Sequence, residues 1–351
     1  MTFADAGSLL RTRAEHPIYA IPALSKKQVF LQPYCRPSEV HIFTVGSVKL
    51  LGVTGMKKYL LGLLLSLSAG LLTAGGRQEP ELRAVNAQRR PIAVDQPDTS
   101  GGPAQLVVRF GAGRLDIAPG TRRALVSGAA LYNNELFTPT VRVEGRRVTL
   151  SAGDGRLELG EFLDLWSTIK DHLNRWELEL GPVPMELELE LGAGSAGLKL
   201  GGVPIRRLRM SQGAADLTLD FDRPNPVEMA SLTYAGGASR CTLRSLANAN
   251  TSRVEVSGGG GVFYLDFSGK LRRDLRVKVE AGAGEVTLVF PEEADVEVTA
   301  RTGLSLVDFR GTWNRPSERL YRHLGARADR GPRITVDAAV LAGKLRLLAG
   351  E

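Results

Sequence analysis

The residues able to do chemistry are few, and their spacing suits few reactions. Beyond residue 76 of this 351-residue chain there are only two histidines, His172 and His323. Ser, His and Asp all occur, but no spacing selects a nucleophile, a base and an acid to orient it. No GxSxG, HExxH or CxxC stretch is present. The glycines at 258–261 lack the Lys-Ser/Thr that completes a phosphate-binding loop. Glu186, Glu188 and Glu190 recur at every second position, so they share one face of a strand. Such a row could gather oxygen ligands for Ca²⁺. With Leu187, Leu189 and Leu191 between them, it reads instead as the solvent face of a half-buried strand.

Arg206, Arg207 and Arg209, with Arg272 and Arg273, could meet an anionic glycan or phospholipid. They read more simply as solvated turns that blunt sheet edges. Cys241 falls on an inward strand position, where a thiol behaves as a small hydrophobe rather than a nucleophile. Asn248 and Asn250 lie between strands, where Asn caps backbone groups. No catalytic, cofactor-binding or metal-ligating residue is assigned, no cofactor is implied, and an enzyme is not expected.

The elements that would position such residues begin after a leader. Residues 56–76 read MKKYLLGLLLSLSAGLLTAGG. Two lysines, an apolar run and a small-residue tail are the order of a secretory signal starting at Met56. The run is short for a membrane span, which needs about 20 residues. An uncleaved anchor is the alternative. Residues 1–55 then read as a mis-assigned start or a disordered extension. Charge follows the same division. Eight of the 45 Lys and Arg and three of the 38 Asp and Glu lie in residues 1–76, which leaves 37 against 35. The overall charge of +7 therefore belongs largely to the leader. Nucleic acid is not an expected partner. Only Cys241 remains after the leader, so no intrachain disulfide is expected there.

Residues 77–104 are polar, with Pro and Gly and no apolar period, and read as a flexible linker. Alternation with a period of two follows. One interruption, 161–176, places Phe162, Leu165, Trp166, Ile169, Leu173 and Trp176 at helical spacing. The two tryptophans there are expected to plug a core end.

From 189 the sequence repeats. Similar windows start at 189 (LELGAGSAGLKL), 208 (LRMSQGAADLTL), 232 (LTYAGGASRCTL), 254 (VEVSGGGGVFYL) and 277 (VKVEAGAGEVTL). A worn copy starts at 296 and a last one at 334. Gly194, Gly213, Gly237, Gly259 and Gly282 share one window position. A corner there needs positive φ or a close backbone approach. A period near 22 with one corner per unit is the mark of a stacked repeat. The expectation is an all-β fold: a parallel β-helix with coils of about 19–24 residues. Residues 105–188 would form a β-rich N-terminal cap and 189–347 the solenoid, with a capping loop at 314–333.

These stretches resemble the toast-rack family of bacterial envelope proteins, related to LiaF-type cell-wall stress proteins and adhesin-type β-helices. The resemblance rests on VVRFGAGRLDI, ALVSGAALYNNELFTPTV, RWELELGPVPMELELELGAGSAGLKL and the recurring glycines, and covers roughly 104–347. It implies a secreted or envelope-linked right-handed β-helix with a structural, adhesin-like or protein-binding role. The partner would be a protein or an envelope polymer, with membrane contact only through the signal or anchor. LiaF-type relatives imply the alternative, a membrane-linked regulator of envelope-stress signalling acting through a sensor kinase. Oligomeric state is left open.

Overall fold

A computed structural model describes residues 40–45, 48–53, 87–95, 97, 101–121, 123–152, 173–325 and 331–350. The chain divides into two units, Met1–Thr54 and Gly55–Glu351. In the first, β1 (Val40–Val45) and β2 (Val48–Val53) form an antiparallel hairpin with Val45 opposite Val48. The remainder of residues 1–55 lies outside the described residues. The signal at 56–76 and the helical spacing at 161–172 lie outside the described residues. Among those described, no helix is long and apolar enough to cross a membrane.

The second unit is all-β. Its strands are β3 (Gln88–Asp95), β4 (Ala104–Pro119), β5 (Ala124–Tyr132), β6 (Pro139–Glu144), β7 (Arg147–Ala152) and β8 (Asn174–Leu180). They continue as β9 (Met185–Lys199), β10 (Ile205–Asp220), β11 (Leu232–Arg244), β12 (Arg253–Asp266), β13 (Leu275–Phe290) and β14 (Asp295–Arg310). A short hairpin, β15 (Asn314–Ser317) and β16 (Leu320–His323), precedes the last strand, β17 (Arg333–Ala349).

One mixed sheet joins them in the order β15-β16-β14-β17-β13-β12-β11-β10-β9-β4-β8-β5-β3, with β6 and β7 to one side. From β4 to β14 every neighbouring pair is parallel. Antiparallel pairs close both ends: β5 with β3 and β8, and β16 with β14 and β15. Strand β3 lies within 77–104, so part of the expected linker is a sheet edge. Strand β4, expected in the cap, is already the first rung of the parallel run. The expected boundary at 188/189 falls inside β9.

The alternation places the core. In β10 and its exit, Leu208, Met210, Leu217, Leu219 and Phe221 are all buried. Each contributes roughly 1.5–3 kcal/mol of burial. They stack on Leu232, Tyr234, Cys241 and Leu243, then on Val254, Val256, Phe263 and Leu265, one layer per strand.

The connections limit the shape of these strands. A straight 15-residue strand runs about 50 Å. Only residues 200–204 return the chain from β9 to the start of β10, and 291–294 from β13 to β14. Six peptide steps reach at most about 22 Å. Each long strand must therefore bend sharply part-way along.

Two columns of small residues mark the bend. In one, Gly192, Gly213, Gly237, Gly259 and Gly282 fall at equivalent ladder positions. Two residues later, Gly113, Gly194, Gly261, Gly284 and Gly343 have φ between 114° and 132°. The five glycines singled out in the sequence do not form one column. Gly194 belongs to the positive-φ column and pairs with Ala215, whereas Gly213, Gly237, Gly259 and Gly282 have no positive φ. At Gly213 and Gly282 the reason for glycine is close approach, since an added Cβ would meet the carbonyl of the preceding rung. The windows at 208, 232, 254 and 277 are in register as read. Those at 189, 296 and 334 are displaced by two, because Leu208 pairs with Leu187, Val277 with Val336, and Val336 with Val298.

Strand order holds a second departure. The last copy, β17, inserts between β13 and the worn copy β14, so β14 ends the ladder.

Candidate binding surfaces

The outward positions of the ladder are the surface on offer. The Glu186, Glu188 and Glu190 row is engaged in ion pairs with arginines of other strands. Glu186 pairs with Arg207 at 3.3 Å, Glu188 with Arg147 at 3.8 Å and Glu190 with Arg109 at 3.2 Å. All are partly exposed, so each is worth at most about 1 kcal/mol. Among the described residues no group of three His, Cys, Asp or Glu is placed to hold a metal ion. The arginines singled out in the sequence do not converge. Arg207 pairs with Glu186 and Arg273 with Glu228, while Arg206, Arg209 and Arg272 are exposed.

The column after the bend reads Arg114, Ser195, Asp216, Arg240, Val262, Glu285, Lys344 and Leu306. Gly197 is two residues further along and pairs with Thr218. No two carboxylates adjoin in this column, so it lacks the paired acids of glycoside hydrolysis.

Cys241 is buried and free. It sits beside Tyr234, whose hydroxyl shares a 2.8 Å hydrogen bond with Ser239. Burial pushes both the thiol and the phenol well above their ordinary ranges, so neither ionises as a nucleophile would. Trp176 lies in β8 with no exposure and its ring meets Phe110 edge-on at 5.6 Å, which fits the expected plug. Trp166 lies outside the described residues.

The return loops hold an asparagine network only partly visible beforehand. Asn248 Nδ2 donates to the Phe221 carbonyl at 2.9 Å, and its Oδ1 accepts from Lys270 N–H at 2.8 Å. Asn250, at φ 57°, donates to the Val227 carbonyl at 2.9 Å. The member sequence reasoning missed is Asn225. It is wholly buried, donates to Ile205 and Ala249 carbonyls, and accepts from Val227 N–H. Its flanking prolines, Pro224 and Pro226, marked only a loop. Each asparagine ties a loop to its neighbour, satisfying backbone groups that stacking would otherwise bury unpaired.

His323 locks the terminal hairpin. Its Nδ1 lies 2.7 Å from the Thr312 carbonyl oxygen and its Nε2 3.0 Å from that of Glu292.

Two open grooves cross the outer face. One, of about 950 Å³, lies over β4, β8, β9 and β10; its walls include Arg114, Asp116, Arg175 and Glu177, and its floor includes Gly197. Arg114 pairs with Asp116 at 2.8 Å and Arg175 with Glu177 at 2.9 Å, so these walls are largely self-neutralised. The other, of about 640 Å³, follows the glycine bend toward β14, over Gly258, Gly259, Gly282 and Leu341, with Arg301 and Arg319 beside it.

Comparison with known proteins adds the lineage. No curated protein matches the chain. Among solved structures, a "putative cell adhesion protein" from Clostridium sporogenes is 20% identical, with 75% of this chain and 99% of that one covered and a TM-score of 0.38. A "putative adhesin" from Bacteroides fragilis is 12% identical, with 74% and 96% covered and a TM-score of 0.31. A "putative lipid binding protein" from Parabacteroides distasonis is 11% identical, with 75% and 97% covered and a TM-score of 0.34. At these values the likeness carries no functional argument. The family model described as the N-terminal domain of toast_rack, DUF2154, matches residues 88–230, from the first residue of β3 to the loop beyond β10. Over that span, the chain is similar to the N-terminal domain of the toast-rack family.

Proposed function

We propose that this chain is a non-enzymatic β-solenoid protein of the cell envelope, exported by the signal beginning at Met56, that binds a protein or a surface polymer. The observation that carries the reading is the parallel register from β4 to β14. Successive layers pair residue for residue, and the returns are too short for straight strands. Winding each bent strand and its return into one coil of a parallel β-helix satisfies both. Such a stack offers a long, stiff outer face, suited to broad contacts rather than an enclosed pocket. The toast-rack match and the leader support an envelope setting.

The test is crosslinking of the tagged chain in cells, with mass spectrometry of partners and of N-terminal peptides. The reading expects a chain starting near Gly75–Gln78, linked to wall or outer-surface components. Crosslinks to a sensor kinase, with residues 57–74 retained, would instead establish the stress-signalling regulator.

A further inference from the structure

The ladder is closed unevenly at its last strand. The β15–β16 hairpin pairs with β14 only over Val296–Thr299. From Thr302 to Arg310, β14 pairs with β17 on one side, and no described strand pairs with its other side. A row of backbone donors and acceptors therefore faces outward there, as on any sheet edge.

The side chains on this edge are unusual for the fold. Leu306 occupies the outward column that holds Lys344, Glu285, Arg240 and Asp216 on other rungs, yet it is 74% exposed. Leu304, where the adjoining rungs carry Ala342 and Ala283, is 89% exposed. Phe309, above the buried Leu347, is 43% exposed. These are the positions a further rung would cover.

Charge around the edge has one sign in excess. Arg301 and Asp308 are matched by Asp337 and Lys344. Arg310, Arg315 and Arg319 form no ion pair among the described residues. Arg315 lies over the Tyr321 ring, which in turn packs against Phe309, and Arg319 lines the bend groove beside Thr302 and Gly303.

We propose that Thr302–Arg310 accepts an added β-strand from a partner polypeptide whose apolar run is flanked at both ends by acidic residues. Main-chain pairing supplies the docking, Leu304 and Leu306 on the outward face and Phe309 on the opposite face take the central apolar side chains, and Arg319 near Thr302 with Arg310 and Arg315 toward the other end select the acidic ones. This deepens the binding reading above and rests on it.

The probe is a fluorescent nine-residue peptide of five valines flanked on each side by two glutamates, compared with its lysine-flanked counterpart by anisotropy against the full chain. The glutamate peptide is expected to bind saturably and at least tenfold more tightly than the lysine one. Leu304→Ser with Leu306→Ser, both at exposed positions, is expected to weaken it at least tenfold. Arg310→Glu with Arg319→Glu is expected to reverse the preference. Equal binding of the two peptides, or binding indifferent to both double variants, overturns the proposal. So does a dimer in sedimentation velocity that the serine variant dissolves, because a second copy then fills the edge. If peptide binding fails while envelope crosslinks persist in both variants, the edge assignment falls and the broader reading stands. If wild type yields no envelope crosslinks at all, the broader reading itself falls.

Discussion

The two ends of the ladder solve the same problem in opposite ways. At the N-terminal end the outermost strand, β3, is eight residues long and exposes Arg89, Arg90 and Pro91. Charge and proline on a short edge are what keep another strand from adding. At the C-terminal end a hairpin covers the first part of β14 and leaves the remainder, with three large apolar side chains, in solvent. The interior physics is the same at both ends, so the contrast lies in what each edge admits. One is built against a further strand and the other is left ready for one.

The largest way to break the comparison is to break the ladder between its ends. Gly284 has φ 126°, and an added side chain would run into the Gly261 carbonyl. Gly284→Val is expected to cost about 3–5 kcal/mol, read as a lower urea midpoint. Next is the lock on the hairpin. His323→Phe removes the ring nitrogens' contacts with the Thr312 and Glu292 carbonyls, a loss of about 1–3 kcal/mol. Its mark is faster amide exchange in Val296–Thr299 with β3 unchanged, which would extend the open edge over the whole of β14.

A smaller effect is expected from Arg322→Ala. It removes a 2.9 Å pair with Glu297 that is half in solvent, worth about 0.5 kcal/mol in thermal unfolding. Smallest in stability is the triple change Arg89→Val, Arg90→Val and Pro91→Val, under about 0.5 kcal/mol. It sharpens the comparison instead: sedimentation velocity should show new association through the N-terminal edge, since its guards are gone.

Much of this was legible in the sequence, for identifiable reasons. Alternation through Leu208, Met210, Leu217 and Leu219 names the buried face without error, because a strand's side chains have a period of two. That period cannot detect a slip of two residues, which keeps every side chain on its own face. The run ELELELG at 186–192 offered such a slip, and Gly194 was placed with Gly213 instead of with Ala215. The signal that fixes the register was present in the Gly-Ala-Gly triplets at 111–113, 192–194 and 282–284, which place Gly192 in the column of Gly282.

Spatial order was less visible. A period gives the rung but not its neighbour, so β17 could not be seen to insert before β14. The worn state of the 296 copy was the trace of it. A terminal strand has no second neighbour to bury Thr302, Leu304 or Leu306, and its pattern is free to drift. Asn225 was hidden for another reason: the two carbonyls it donates to, Ile205 and Ala249, are 20 and 24 residues away, and no local spacing encodes them.

The measurement that bears most directly on the central claim is amide hydrogen exchange of the full chain, resolved by residue along β14. The account predicts slow exchange through Val296–Thr299, where the hairpin pairs. Between Thr302 and Arg310 it predicts an alternation, with amides aimed at β17 slow and those aimed outward exchanging at nearly the free rate. Uniform protection of Thr302–Arg310 in a monomeric sample would contradict it, because the edge taken as open would already be filled.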